Sequence, residues 1–282
     1  MPVTVMRALA EAQTLGLARL DTQLLLLCAL GKPDSDRAWL LAHDGDALPD
    51  ETAQIFQNLT RRRAAGEPLA YIVGYQEFFG LRFTVDNAVL IPRPDTETLV
   101  QWSLDLLAGL DNPRVIDLGT GSGAIAISLA HQLKTSVDAT DLSEKALSVA
   151  RENAQRLGVN VQFLQSHWFD KVSGHYHLIA SNPPYIADAD PHLAALGHEP
   201  LNALTAGSDG LSDIRQIVQF APDHLHPGGW LLLEHGYDQA TVVRELLTQR
   251  GFTQVQSRMD LASIARCSGG QWPGQNSGII ND

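Results

Sequence analysis

The chain has 282 residues, with 20 Lys and Arg against 32 Asp and Glu, for a formal net charge of −12. That length accommodates two domains, and the acidic balance argues against a protein that grips a nucleic-acid backbone, which needs a basic face. No apolar run reaches the ~18 residues needed to span a bilayer, and residues 1–10 do not read as a signal peptide, so the expected location is the cytoplasm.

Residues 1–75 read as a helical domain. Amphipathic helices are expected over residues 3–15, 21–29, 36–42 and 49–63, with Gly31-Lys32-Pro33 and Asp44-Gly45-Asp46 as breaks. The basic cluster Arg61-Arg62-Arg63 complements the dipole at a helix C-terminus. Residues 76–94 read as a β-hairpin turning at Gly80, followed by the linker Pro92-Arg93-Pro94. Residues 95–282 form the larger domain, opened by Asp95 as cap of a helix running to Leu107. Cys28 and Cys267 are isolated and imply neither a disulfide framework nor a zinc site. The pairs His175/His177 and His224/His226 lack acidic or thiol partners at metal spacing, so no metal is expected.

From Arg114 strands and helices alternate, as in an α/β doubly wound sheet. Strand 115–118 ends in the turn Gly119-Thr120-Gly121-Ser122-Gly123, and helix 124–133 follows. Such a turn cradles a nucleotide at a helix N-terminus. Strand 136–140 ends at Asp141, about 20 residues on, where an acid can hold ribose hydroxyls. Strand 161–165 leads to His167-Trp168-Phe169, and strand 176–181 to Asn182-Pro183-Pro184-Tyr185. A long polar stretch, 187–210, has the length of a lid or binding loop. Helix 211–224, strand 230–234, helix 239–249 and strand 252–258 complete the pattern, and the glycine-rich tail from Ser268 is expected to be frayed.

The Asn182 to Tyr185 corner carries most of the chemistry. Two prolines stop a strand at once, because neither can donate to a ladder. They fix a carboxamide and a phenol at the carboxyl end of a strand, where open sheets bind ligands. Asn182 and a free backbone carbonyl can accept both protons of a planar –NH2 group, with the Tyr185 ring against its face. Gly119, Gly121 and Ala124 also satisfy a relaxed dinucleotide pattern, so an NAD(P)-binding protein is an alternative. Asp117 at the glycine turn counts against it, since a carboxylate there would repel a pyrophosphate and attract a sulfonium. An acidic binding module without catalysis is a further alternative, weakened by the intact Asn182 corner.

The chain resembles the HemK/PrmC family of protein-(glutamine-N5) methyltransferases. The resemblance rests on Gly66-Glu67-Pro68-Leu69-Ala70-Tyr71-Ile72, Ile91-Pro92-Arg93-Pro94-Asp95-Thr96-Glu97, Asp117 to Gly123, Ser181 to Ile186, Asp190-Pro191-His192-Leu193, Glu199-Pro200, Ala203-Leu204 and Gly207-Ser208-Asp209-Gly210, spanning about residues 61–234. It implies a seven-stranded, Rossmann-like class I methyltransferase domain behind a small helical domain and a hairpin linker. It implies S-adenosyl-L-methionine as cofactor, and as substrate the glutamine of a Gly-Gly-Gln loop on a peptide chain release factor. The helical domain would recognise that protein; no direct nucleic-acid contact and a monomeric free enzyme are expected. Gly119, Thr120, Gly121, Ser122, Gly123 and Asp141 would bind the cofactor, with Asn182 beside it and Trp168 near the adenine. Asn182, Pro183, Pro184 and Tyr185 would hold the glutamine amide for in-line methyl transfer. Adenine-N6 DNA methyltransferases share the Asn-Pro-Pro-Tyr corner and are the alternative, though Ile91 to Glu97 is not expected in them. The family often has an acid where this chain has His167, and the ending Ile264 to Cys267 also departs. Gly269-Gly270-Gln271 spells the acceptor tripeptide; coincidence is the plain reading and self-methylation of Gln271 the other.

Overall fold

The computed structural model describes residues 3–274, and the chain divides after Tyr75 into two compact units. The first is all helical: α1 (Val5–Gln13), α2 (Arg19–Ala29), α3 (Arg37–Ala42), α4 (Asp50–Ala64) and α5 (Leu69–Val73). Leu25, Leu26 and Leu27 of α2 are all buried, because that helix is covered by neighbours on several sides, and Leu40, Phe56 and Ile72 complete its core. The 44–46 break folds back on α1, with Val5 N–H donating to the Asp46 carbonyl at 3.0 Å. The short α5 is not legible as a periodic run. It starts after Pro68 and stops at Gly74, whose φ of +84° suits glycine. Arg62 and Arg63 at the end of α4 are ion-paired, with Glu67 and Asp21 respectively.

The hairpin strands β1 (Tyr75–Phe78) and β2 (Leu81–Thr84) turn through Phe79 and Gly80, both at positive φ, as two-residue hairpins require. The main sheet has seven strands: β3 (Val115–Leu118), β4 (Val137–Asp141), β5 (Val161–Gln165), β6 (Tyr176–Ser181), β7 (Leu225–Glu234), β8 (Thr253–Met259) and β9 (Ala265–Gln271). Their order is β5-β4-β3-β6-β7-β9-β8. All neighbours are parallel except β9, which runs antiparallel between β7 and β8. Both faces are covered, so central strands read as continuous apolar runs with alternate side chains on opposite faces. Leu178 and Leu232 enter one core, with α6 (Glu97–Leu107), α7 (Ala124–Leu133) and hairpin residues Phe78 and Phe83. Ile179, Leu231 and Leu233 enter the other, with α9 (Ser212–Phe220) and α10 (Ala240–Arg250). Helix α8 (Glu144–Leu157) follows β4.

Three expectations are corrected. Asp95 does not cap α6; it lies in a 3-10 turn, Pro94–Thr96, and its carboxylate sits 3.2 Å from Arg266 Nε. Helix α9 ends at Phe220 and gives way to a 3-10 turn containing Pro222. The tail from Ser268 is not frayed through Gln271, because Ser268 to Gln271 lie in β9, paired on both sides. Glycine is required there: a Cβ on Gly269 would stand 2.7 Å from the Leu231 carbonyl, and one on Gly270 2.8 Å from Phe252 Cβ. Gln271 pairs with Trp230, and its Nε2 donates to the Gly228 carbonyl at 2.9 Å. It is thereby held at the opposite end of the sheet from Asn182, and the self-methylation reading falls. The remainder of the tail, 275–282, lies outside the described residues.

Candidate active site

The ends of β3, β4 and β6 converge on a cleft of about 1060 Å³, including its open mouth. Its floor is the glycine turn. Gly119 and Thr120 N–H both donate to the Thr140 carbonyl at 2.8 Å, and Gly121 N–H donates to Asp141 Oδ2 at 2.9 Å. Asp141 also accepts from Ser143 N–H at 2.8 Å. Each carboxylate oxygen keeps a further lone pair, so Asp141 can take hydroxyl donors from the cleft. Burial pushes its pKa up, against those backbone hydrogen bonds. Gly119 has φ +72°, and a Cβ on it would stand 3.1 Å from the Trp168 ring.

Trp168 lines the cleft from backbone at φ +42°, a strained position for a bulky residue. The strain is held by its indole N–H, which donates to Asp213 Oδ1 at 3.1 Å, and by the Ser166 hydroxyl on its carbonyl at 3.2 Å. His167 also lines the cleft, with Asp170 Oδ2 3.9 Å from its Nδ1. Glu199 ties the long loop down: it ion-pairs with Arg93 and accepts from Ile91 N–H at 3.2 Å. Pro200, Asn202 and Ala203 then form cleft wall.

At the end of β6, the Ser181 hydroxyl donates to the Leu118 carbonyl at 2.7 Å, fixing the strand end beside the glycine turn. Asn182 lines the cleft, and its Nδ2 donates to Thr96 Oγ1 at 3.3 Å. Its Oδ1 is buried without a partner. A buried carbonyl oxygen facing no donor has acceptor capacity that nothing in the chain uses.

Of the residues expected from sequence, Gly119, Thr120, Gly121, Ser122, Asp141, Trp168, Asn182 and Pro184 line the cleft. Gly123, Pro183 and Tyr185 are not part of that lining. Gly123 sits at the start of α7 at φ +86°, where a Cβ would meet Ile127 Cδ1 at 2.6 Å, so its constraint is packing. Tyr185 does not offer its ring as a plate. Its hydroxyl reaches Glu234 Oε1 at 3.5 Å, and its carbonyl accepts from Gln239 Nε2 at 3.0 Å. Asp117 also differs from expectation: it is 0% exposed and absent from the cleft lining. It accepts from the Thr120 hydroxyl at 2.6 Å and Ala126 N–H at 3.2 Å, stapling the turn to α7, and burial pushes its pKa up to about 7. Sequence reasoning missed Thr96, Arg93, Glu199, Asp213 and Glu234. Thr96 and Arg93 lie inside the quoted Ile91 to Glu97 stretch and Glu199 in the quoted Glu199-Pro200, which were the available signals; Asp213 and Glu234 come from distant segments.

This strand order, with a glycine turn, Asp141 at the end of β4 and Asn182 just past β6 around one cleft, defines a class I S-adenosylmethionine-dependent methyltransferase. Residues 97–203 match the methyltransferase small domain and residues 5–74 the PrmC N-terminal domain. The fold is similar to a methyltransferase from Pyrococcus furiosus, at TM-score 0.55 and 22% identity, covering 78% of this chain and all of that one. The chain is 50% identical over 260 residues to the release factor glutamine methyltransferase of Bordetella pertussis, covering 90% of this chain and 95% of that relative. It is likewise 50% identical over 260 residues to that of Pseudomonas aeruginosa, covering 90% and 93%. The chain belongs to the HemK/PrmC family of release factor glutamine methyltransferases.

Proposed function

We propose that this chain transfers the methyl group of S-adenosylmethionine to the side-chain amide nitrogen of the glutamine in a release factor's Gly-Gly-Gln loop. The observation that carries this reading is the unpartnered Oδ1 of Asn182, buried in the wall of the cleft that holds the glycine turn. The residues present fit the cofactor: Asp141 supplies acceptors for two ribose hydroxyls, Trp168 an aromatic wall, and Gly119 the room a side chain would fill. Bound there, S-adenosylmethionine supplies an electrophilic methyl carbon.

The rest is the work of the chain. An amide nitrogen is a poor nucleophile because its lone pair is delocalised into the carbonyl. Asn182 Oδ1 accepts one of its protons and a backbone carbonyl of the Asn182 to Tyr185 corner the other. Pro183 and Pro184 have no N–H to compete for that carbonyl. Two such hydrogen bonds favour a pyramidal nitrogen and aim its lone pair along the line of transfer. Orientation and fixed acceptors supply most of the acceleration. Tyr185 acts from behind the wall, through Glu234 and Gln239.

The helical unit recognises the release factor, and the free enzyme works as a monomer in the cytoplasm. Among the described residues no helix is long and apolar enough to cross a membrane. The net charge of −12 supports a protein substrate over a nucleic acid. Incubation with methyl-labelled S-adenosylmethionine and either a bacterial release factor or duplex DNA tests the reading. Label in the release factor is expected; label in DNA alone would establish the adenine-N6 alternative instead.

A further inference from the structure

We propose that Gln239 is a positioning residue that holds the Asn182 to Tyr185 corner and the closing end of the 187–210 loop together as one piece. The inference rests on the glutamine-amide reading above and extends it to a residue 54 positions beyond Tyr185, in the turn between β7 and α10.

Two prolines leave the corner with few handles. Pro183 and Pro184 have no N–H, so neither can be tied down by donating. Their fixed φ makes the stretch from Asn182 to Tyr185 a short, stiff unit that is held from its ends. At one end Asn182 Nδ2 donates to Thr96 Oγ1 at 3.3 Å. At the other the Tyr185 carbonyl accepts from Gln239 Nε2 at 3.0 Å. The Tyr185 hydroxyl adds a weak hold, 3.5 Å from Glu234 Oε1. A shift of the Tyr185 carbonyl is therefore passed along to Asn182.

Gln239 is itself set by backbone groups. Its Oε1 accepts from Gly236 N–H at 2.8 Å, and its Nε2 donates to the carbonyls of Tyr185 at 3.0 Å and Gly210 at 3.4 Å. A backbone N–H only donates and a carbonyl only accepts, so the carboxamide has one orientation and both its protons are used. The Gly210 bond brings in the loop. Gly210 lies at φ +70°, and a Cβ on it would collide with the Tyr185 carbonyl. Alongside, Ile186 N–H donates to the Leu204 carbonyl at 2.9 Å, Ala206 N–H to the Ile186 carbonyl at 3.0 Å and Asp188 N–H to the Gly207 carbonyl at 3.0 Å. The two ends of the loop are thus zipped together beside the corner, and Pro200, Asn202 and Ala203, which wall the cleft, lie between them. Asp209, paired with Arg215 at 2.6 Å, fixes the closing end to α9. Gln239 joins that closure to the Tyr185 carbonyl and to the start of α10.

The test uses the full-length enzyme, S-adenosylmethionine and a bacterial release factor. Gln239→Glu separates the corner from the turn. Protonated, the new carboxyl copies the amide: one oxygen accepts from Gly236 and the hydroxyl donates to Tyr185. Ionised, it keeps the Gly236 bond but sets an oxygen against the Tyr185 and Gly210 carbonyls, which raises its pKa above the usual range. The ratio of Gln239→Glu to wild-type kcat should therefore fall by about tenfold between about pH 5.5 and about pH 8.5. The ionisable groups nearby are common to both enzymes and cancel in the ratio: Glu234, pushed up to about 7 by burial; Tyr185, pushed up by burial; His235, pushed down by burial; Asp209, held down by Arg215; and Asp238 and Arg244. Gln239→Leu should lose about 10–100-fold in kcat at every pH, with cofactor affinity by calorimetry within about threefold of wild type, because Glu199 still ties the loop to Arg93. In the free enzyme, hydrogen exchange at the Ile186, Asp188 and Ala206 amides should quicken by about tenfold or more in Gln239→Leu, with the Gly119 and Thr120 amides unchanged. The proposal is overturned if Gln239→Leu keeps about a third or more of the wild-type kcat, if the Gln239→Glu ratio stays within about twofold across that pH range, or if exchange at those three amides is unchanged. Should Gln239→Leu fail to fold, the Gln239→Glu ratio decides the matter. A wild type that binds cofactor and leaves the release factor unmethylated would instead overturn the function proposed above, and the exchange comparison then judges Gln239.

Discussion

Asn182 is where the proposed function places the reaction, and its substitution has a separable effect. Asn182→Ala should lower single-turnover transfer by about 10²–10³-fold. Cofactor affinity should stay nearly unchanged, because the glycine turn and Asp141 are untouched; calorimetry beside rapid-quench kinetics checks both. Asp117 gives a second, opposite kind of test. Its folded pKa, about 7, lies above the ordinary 3.8. A carboxyl raised on folding stabilises most below its unfolded pKa, and that stability is lost as pH rises toward the folded value. Wild type should therefore lose stability relative to Asp117→Asn between about pH 4 and about pH 7, by at most about 1.4 kcal/mol per pH unit. Parallel denaturation midpoints across that range would contradict it. Asp141 and Asn182 were legible in the sequence because one ends a strand and the other directly follows one, and Trp168 because it comes shortly after β5. Thr96 was not assigned a role because it meets Asn182 across 86 residues, and Asp213 meets Trp168 across 45. Tyr185 was placed wrongly because spacing locates a backbone, not the direction of its ring.

At the scale of elements, α7 and β6 were read to the residue. Each is a mostly apolar run with a firm boundary, Gly123 before one and Asn182-Pro183 after the other. β9 was missed because its composition contradicts its place. Gly269 and Gly270 have low strand propensity, yet the approach of β7 and of Phe252 leaves no room for a side chain. Gly269→Ala should consequently destabilise the protein by about 1–3 kcal/mol, read as a lower denaturant midpoint. A change below about 0.5 kcal/mol would show that the strands can spread at no cost. The hairpin was legible from its turn, but its attachment was not. Asn153 of α8 holds it by accepting from Thr84 N–H at 2.7 Å and donating to the Thr84 carbonyl at 3.0 Å, while also donating to the Ser122 carbonyl at 3.0 Å. One side chain thus links β2 to the glycine turn.

For the molecule as a whole, the two units divide the labour we propose: cofactor and chemistry in the second, release-factor recognition in the first. A chain beginning at Gln76 keeps Phe78 and Phe83 in their core, and should bind S-adenosylmethionine as the full chain does while losing affinity for the release factor. Equal release-factor affinity for both chains, by surface plasmon resonance, would contradict that division. The acidic charge pointed the sequence reading away from nucleic acid, but no sum of charges could locate the acceptor atom. The Asn-Pro-Pro-Tyr motif pointed to Asn182, and its buried, unpartnered oxygen supports the proposed role. The central claim is therefore about one nitrogen, and tandem mass spectrometry of a release factor incubated with enzyme and S-adenosylmethionine tests it directly. The account predicts one methyl group on the side-chain amide of the Gly-Gly-Gln glutamine with wild type, and almost none with Asn182→Ala. A methyl group on any other residue, or an unmodified glutamine with enzyme that demonstrably binds its cofactor, would contradict it.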